Sequence, residues 1–210
     1  MSASPLVDAS WYVARGTGVV DLVLLTVVMG LGITTRSGRT LPGLPRFAVT
    51  AVHRSGSLLA LALLTIHVTT LLVDPYAQLR LLDLIVPFGG RQRPLWLGLG
   101  TLAFDVLLAL AVTSQLRQRI GRRTWRAVHW SAYALWPLAL AHGLGNGTDN
   151  GRLWLQLTAG ACAVAMVAAL AWRLAPTFDV RRRARPQRLA IAPPPRRVPD
   201  EARARPRAGV

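Results

Sequence analysis

The sequence predicts an all-α integral-membrane helical bundle of five or six transmembrane helices, followed by a disordered cytoplasmic tail. Of its 210 residues, 52% are hydrophobic. These residues gather in five runs of about 20, the length that crosses the hydrocarbon layer of a membrane as a helix. The 25 basic residues are all arginine, and most of them lie between these runs or after the last one. Apolar length and charge placement therefore exclude an ordinary soluble domain.

Each run is continuous enough to satisfy its backbone in lipid only as a helix. The predicted spans are approximately residues 11–34, 47–73, 95–116, 125–144 and 153–174. Because no basic segment precedes the first run and no A-x-A site follows it, we expect a retained span instead of a cleaved signal peptide. The predicted organisation is an N-terminal segment (1–10), a transmembrane domain (11–174) and an Arg/Pro-rich tail (175–210).

Two segments outside the spans have distinct compositions. Residues 75–94 include an apolar stretch too short to span, closed by Pro87 and a pair of glycines, which predicts a short helix on the outer surface. Residues 176–210 are rich in Arg, Pro and Ala and poor in large apolar side chains, a composition that cannot bury enough surface to fold.

The arginine distribution predicts one orientation. The first and third connectors carry arginines without acids, whereas the second and fourth mix both charges. By the positive-inside rule, the N-terminus is outside and the tail cytoplasmic, in a multi-pass protein of the plasma membrane. We therefore expect membrane lipid, and not nucleic acid, around these charges. The single cysteine, Cys162, excludes an intrachain disulfide or a Cys-based metal site.

All four histidines lie inside predicted spans. His53 and His67 are 14 positions apart, so on one helix they share a face at a separation of roughly 21 Å. His129 and His142 are 13 apart, and an ideal helix leaves them about 140° out of phase. Pro137 lies between them and cannot donate to the Tyr133 carbonyl. This predicts a kink or local widening that restores a common face.

The second and fourth spans run in the same direction, which pairs His53 with His129 near the cytoplasm and His67 with His142 near the outside. Two imidazoles from facing helices are suitable axial ligands for haem iron. We therefore predict two six-coordinate b-type haems that carry electrons. Zinc requires four ligands around one ion, whereas these pairs are about 20 Å apart by helical rise. The alternative is four hydrogen-bonded core or interfacial histidines without a metal.

Several other polar residues are candidates for this site. Arg54 and Arg126 lie beside His53 and His129, where they would bind haem propionates or simply anchor the cytoplasmic side. Arg15 is a weaker candidate at the outer end. Asp21 and Asp105 are expected near mid-membrane, as part of a proton relay or hydrogen-bonded to threonines of neighbouring helices.

The pattern H-R-S-G-S-x9-H followed by W-R-x2-H-x3-Y-x8-H resembles the ferric reductase-like transmembrane domain. Members of that family include ferric reductases, NADPH oxidases and the haem subunit of methionine sulfoxide reductase systems. The resemblance covers about residues 11–174. It implies that His53, His67, His129 and His142 ligate two haems that pass electrons across the membrane.

The sequence departs from the oxidases after Leu174, where the tail has no flavin or nicotinamide domain. The expected protein is therefore a membrane cytochrome reduced by a separate flavoprotein or by a quinol. Two alternatives remain open: the haem-binding subunit of a methionine sulfoxide reductase-type system, and a non-redox haem carrier or membrane scaffold. The acceptor, the direction of electron flow and the oligomeric state are undetermined by the residues.

Overall fold

A computed structural model describes residues 5–37, 43, 45–75, 77–147, 149 and 151–175. Its helices are α1 (Pro5–Ser37), α2 (Arg46–Val73), α3 (Pro94–Gln115), α4 (Arg117–Trp130), α5 (Ala132–Asn146) and α6 (Leu153–Leu174). A single 3₁₀ turn, Leu81–Leu84, precedes α3, and the described ranges contain no strand. The predicted all-α membrane bundle is confirmed.

The bundle consists of two closely packed helix pairs. α1 packs mainly on α2 and α3 on α5, while α6 covers α1. Trp136 lies in the core between the pairs, 7% exposed, and its indole Nε1 donates to the Thr26 hydroxyl at 2.8 Å. The other buried core residues are small or aliphatic: Leu25, Ala60, Ala103, Leu107, Leu110, Leu135, Cys162 and Met166. The tryptophan therefore ties α5 to α1 in the middle of an otherwise apolar interior.

Within the described part of the chain, four helices are long and apolar enough to cross a membrane: α1 from Ala9, α2, α3 and α6. Large apolar side chains such as Val164 and Val167 are about two-thirds exposed on the outer surface of the bundle. Such a surface suits lipid, because lipid tails solvate apolar side chains that water would not. The chain is therefore a multi-pass membrane protein.

The fourth predicted span is divided between α4 and α5, and the division lies at Ser131, not at Pro137. The Ser131 amide bonds to the Val128 carbonyl, three residues back, and the Ser131 hydroxyl bonds to the same carbonyl at 2.7 Å. These contacts tighten one turn, which is the opposite of the predicted widening. α5 continues through Pro137, whose missing N–H removes only one helical bond.

The expected surface helix in residues 75–94 is only the 3₁₀ turn. Asp83 is 4% exposed and accepts hydrogen bonds from the Arg80 backbone and guanidinium, at 3.0 and 3.3 Å. The Asp83 carbonyl in turn accepts from the Thr101 hydroxyl at 2.7 Å, which attaches the turn to α3. These polar contacts, and not a buried apolar face, hold the segment. Its apolar side chains are exposed, namely Leu81, Leu82, Ile85 and Val86.

The division into three domains stays a prediction. α1 begins at Pro5, within the expected N-terminal segment 1–10. α6 ends at Leu174, the last residue of the expected transmembrane domain. The predicted tail from residue 176 onward lies outside the described residues.

Candidate functional site

The rings of His67 and His142, here called the first pair, face each other from α2 and α5. Their centroids are 6.4 Å apart and their planes are perpendicular. α2 and α5 are not among the closely packed pairs of described helices, so the two imidazoles meet where the α1–α2 pair faces the α3–α5 pair. The spacing of the histidines predicts that His67 lies opposite His142, and the two rings are neighbours.

Three of the four histidines make the same kind of hydrogen bond, from the ring Nδ1 to a backbone carbonyl of another helix. Nδ1 lies 2.6 Å from the Ala14 carbonyl in His67, 2.9 Å from the Val28 carbonyl in His53 and 2.8 Å from the Trp96 carbonyl in His142. A carbonyl can only accept, so in each ring the proton is on Nδ1 and the Nε2 lone pair is free. Histidines that ligate metals have this arrangement, since the bond fixes both tautomer and ring orientation.

A glycine lies four residues after each accepting carbonyl, on the same helix. A Cβ at Gly18 would lie 3.0 Å from the His67 ring, at Gly32 3.2 Å from the His53 ring, and at Gly100 2.5 Å from the His142 ring. A helical carbonyl already accepts from the amide four residues later, but it has a second lone pair. The missing side chain lets the imidazole reach that lone pair. We call each carbonyl with its glycine a glycine cradle.

His53 on α2 and His129 on α4, which the sequence spacing pairs, are here called the second pair. The Nδ1 of His129 is buried and has no hydrogen-bond partner among the described residues. Its ring instead stacks on Trp125, one turn earlier in α4, with centroids 4.7 Å apart and planes at 21°. His129 therefore differs from the other three histidines.

The first pair suits two-imidazole ligation of a haem iron. If each imidazole nitrogen binds a metal at about 2 Å from opposite sides, the ring centroids are roughly 6 Å apart, as they are in the first pair. Among the described residues no group of three or more His, Cys, Asp or Glu could hold a metal ion by itself. The donor set thus fits a metal that brings its own equatorial ligands, such as haem, and does not fit zinc.

The candidate arginines divide between the two ends. Arg54 directly follows His53, Arg126 lies one turn before His129, and both arginines are exposed. Arg15 pairs with Asp149, and its guanidinium lies 4.1 Å from the centre of the Trp11 ring. Because these contacts hold Arg15 against the α5–α6 connector, the structure does not favour it as a propionate ligand.

Neither Asp21 nor Asp105 has the expected hydrogen bond to a threonine within the part of the chain that the structure describes. Oδ1 of Asp21 is buried and has no hydrogen-bond partner among the described residues. Thr26, one turn further along α1, donates to the Leu22 carbonyl and accepts from Trp136. Asp105 is half-buried on α3. Neither acid lies in a glycine cradle.

The bundle and its paired histidines define a class of membrane proteins built to hold a cofactor between helices. The model of one family, ferric reductase like transmembrane component, matches residues 17–140, more than half of the chain. The chain belongs to this family, and this membership gives it a role in membrane electron transfer. Domains of the family are generally haem-binding. No curated protein and no solved structure matches the chain significantly.

The features missed from the sequence are the three cradles and the stacked tryptophan. A signal for the cradles was present: Gly-x-Gly occurs at 16–18, 30–32 and 98–100. The first two are 14 residues apart, which is also the spacing of His53 and His67. Only the second glycine of each motif contacts an imidazole, since a Cβ at Gly16 or Gly30 would meet nothing.

Proposed function

We propose that this chain transfers electrons across the plasma membrane through two b-type haems, one held by His67 and His142 and the other by His53 and His129. The observation that carries the proposal is the first pair: its rings face each other at 6.4 Å, and the Nδ1 of each is committed to a backbone carbonyl. A haem held by two imidazoles accepts and donates single electrons and has no open position for a small ligand.

The chain itself would bind the haems, orient their histidine ligands and exclude water from the site. The cradles at Ala14 and Trp96 hold the imidazoles of the first pair with Nε2 free, so no rearrangement is needed for ligation. Contacts of α1 with α5 and of α2 with α3 join the two helix pairs and so hold His67 and His142 at their distance. Arg54 and Arg126 are proposed to bind propionates at the second pair, where a guanidinium makes charge-assisted hydrogen bonds with carboxylates.

The donor is proposed to be a separate flavoprotein or a quinol, with the N-terminus outside and the second pair on the cytoplasmic side. Support comes from α4, none of whose residues is buried and whose N-terminal half carries a cluster of exposed arginines on both sides of the non-helical backbone at Gly121: Arg117, Arg119, Arg122 and Arg123. A dense positive surface beside the second pair suits an acidic protein donor, because complementary charge accelerates encounter.

Haem stoichiometry tests ligation. The purified full chain should contain two b-type haems with low-spin spectra that dithionite changes reversibly. His67→Ala and His142→Ala, alone or together, should each leave the same single haem, and His53→Ala and His129→Ala the other one. Low-spin haem retained in full when all four histidines are replaced would refute the assignment, as would a purified wild-type chain without haem.

Reduction kinetics test the docking surface. Replacing Arg117, Arg119, Arg122 and Arg123 with Gln should slow reduction by an acidic flavoprotein and weaken its salt dependence, while reduction by a quinol or by dithionite stays unchanged. Arg91→Gln, an exposed arginine in the connector before α3, is the control and should have no effect. Equal rates for the fourfold variant and the wild type would place docking elsewhere.

A further inference from the structure

The glycine cradles follow an internal repeat. In α1 the carbonyls of Ala14 and Val28 are 14 residues apart, and so are Gly18 and Gly32, which serve His67 and His53. In α3 the Trp96 carbonyl and Gly100 serve His142. Both histidines of α2 and one histidine of α5 are therefore held by the same device. The repeat predicts a fourth cradle 14 residues after Trp96.

That fourth position is occupied differently. The expected carbonyl belongs to Leu110 and the expected glycine is Ser114. The Ser114 hydroxyl instead lies 3.4 Å from the indole Nε1 of Trp125, a long and therefore weak hydrogen bond. The Trp125 ring stacks on His129, whose Nδ1 has no partner among the described residues.

We propose that Trp125 is the positioning residue of His129: its stacked ring sets the plane of this imidazole in place of a glycine and a backbone carbonyl. The inference rests on the proposed ligation by the second pair and adds that its two ligands are unequal. His53 is oriented by a hydrogen bond and His129 by a ring contact.

The two devices constrain an imidazole differently. A bond from Nδ1–H to a carbonyl fixes the tautomer, the plane and the donor strength of the ring together. A stacked ring restricts only the plane, and the terminal torsion of histidine is otherwise broad. Removal of the Trp125 ring should therefore leave His129 with several orientations, whereas loss of a tryptophan that does not stack on His129 should not.

The experiment uses the full-length purified protein loaded with haem, with haem count, ferric electron paramagnetic resonance and the midpoint potential of each haem as readouts. His67→Ala provides the reference signal of the second pair alone. Trp125→Leu should broaden or split that signal and shift the potential of that haem only, with the first pair unchanged. Trp125→Phe keeps an aromatic ring and should restore the wild-type signal. Ser114→Ala should act in the same direction as Trp125→Leu but less strongly.

Trp130→Leu is the matched control, because Trp130 is 53% exposed on the same helix and contacts Tyr133, not His129. It should leave both signals unchanged. Selective loss of the second-pair haem in Trp125→Leu, with retention in Trp125→Phe, also supports the proposal. An unaltered second-pair signal in Trp125→Leu, or equal changes in both haems, would overturn it. Either outcome leaves the ligand assignment standing, since that depends on the histidine variants.

Discussion

The imidazole planes of His67 and His142 are perpendicular, and each plane is set by a helix other than its own. His67 on α2 bonds to Ala14 of α1, and His142 on α5 bonds to Trp96 of α3. The angle between the two rings is therefore a property of the packed bundle and not of any cofactor between them.

The perpendicular rings predict a spectroscopic signature. When axial imidazole planes are perpendicular, a low-spin ferric haem has a more anisotropic paramagnetic resonance spectrum than when they are parallel. We expect such a strongly anisotropic signal from the first pair. It should disappear in His67→Ala and in His142→Ala and persist in His53→Ala. A first-pair signal typical of parallel planes would contradict the geometry.

The cradles predict that adding a methyl group at Gly100 or Gly18 displaces the imidazole. Gly100→Ala should weaken haem binding at the first pair more than Gly18→Ala, because its Cβ would lie closer to the ring. The expected loss in affinity is about tenfold to a hundredfold, the range typical when a partner that orients a metal ligand is lost. The loss in affinity is measured as the haem that each variant retains when it is titrated with apomyoglobin, which accepts the released haem.

Gly16→Ala is the control for this series, since it makes the same change on α1 where a Cβ would meet nothing. It should retain haem like the wild type. In the variants that keep the first-pair haem, we also expect a more positive midpoint potential, because an imidazole without its carbonyl partner is a weaker donor to ferric iron. Equal effects of Gly16→Ala and Gly100→Ala would contradict the cradle.

The Trp136–Thr26 hydrogen bond predicts a non-additive pair of substitutions. Trp136→Phe should lower the free energy of unfolding by about 1 kcal/mol. Thr26→Val should cost about 1–3 kcal/mol, because it leaves a buried indole N–H unpaired. The double variant should be more stable than the sum of the two losses implies, and Thr26→Ser should resemble the wild type. Thermal unfolding in detergent measures all four, and strict additivity would exclude the bond.

The hydrogen bonds between Arg80 and Asp83 predict that the protein loses stability in acid. The side-chain and backbone hydrogen bonds from Arg80 hold the pKa of the Asp83 carboxyl below its usual value. A lowered folded-state pKa adds stability above the unfolded pKa of about 3.9, and this contribution is lost as the pH falls through that value towards the folded one. Asp83→Asn should therefore be less stable than the wild type at neutral pH, and the difference should shrink below about pH 4.

Thermal unfolding as a function of pH tests this prediction. Arg80→Gln removes the largest cause of the lowered pKa but keeps the backbone bond, so it should give an intermediate profile. A difference between wild type and Asp83→Asn that is constant from neutral to acid pH would show that the carboxylate charge is not involved.

The positions of most helices could be predicted from the lengths of the apolar runs, because in lipid a run of about 20 apolar residues can satisfy its backbone only as a helix. The described helices α2, α3 and α6 begin and end within one residue or so of the predicted limits. The sequence predicts the break at Pro137, but the structure has it at Ser131. The tight turn at Ser131 depends on local hydrogen bonds that composition does not show.

The sequence by itself determined that this is an all-α membrane protein with four histidines at two depths, since run length and helical periodicity are local properties of the chain. Only the tertiary structure decided how each imidazole is held. A carbonyl 53 positions away in sequence orients His67, whereas a neighbour on its own helix orients His129. The contact of Trp125 with His129 is local, because residues four apart on one helix are neighbours. Which backbone oxygen meets His53, His67 or His142 depends instead on how helices pack against one another, and helix packing brings together residues that no local pattern relates.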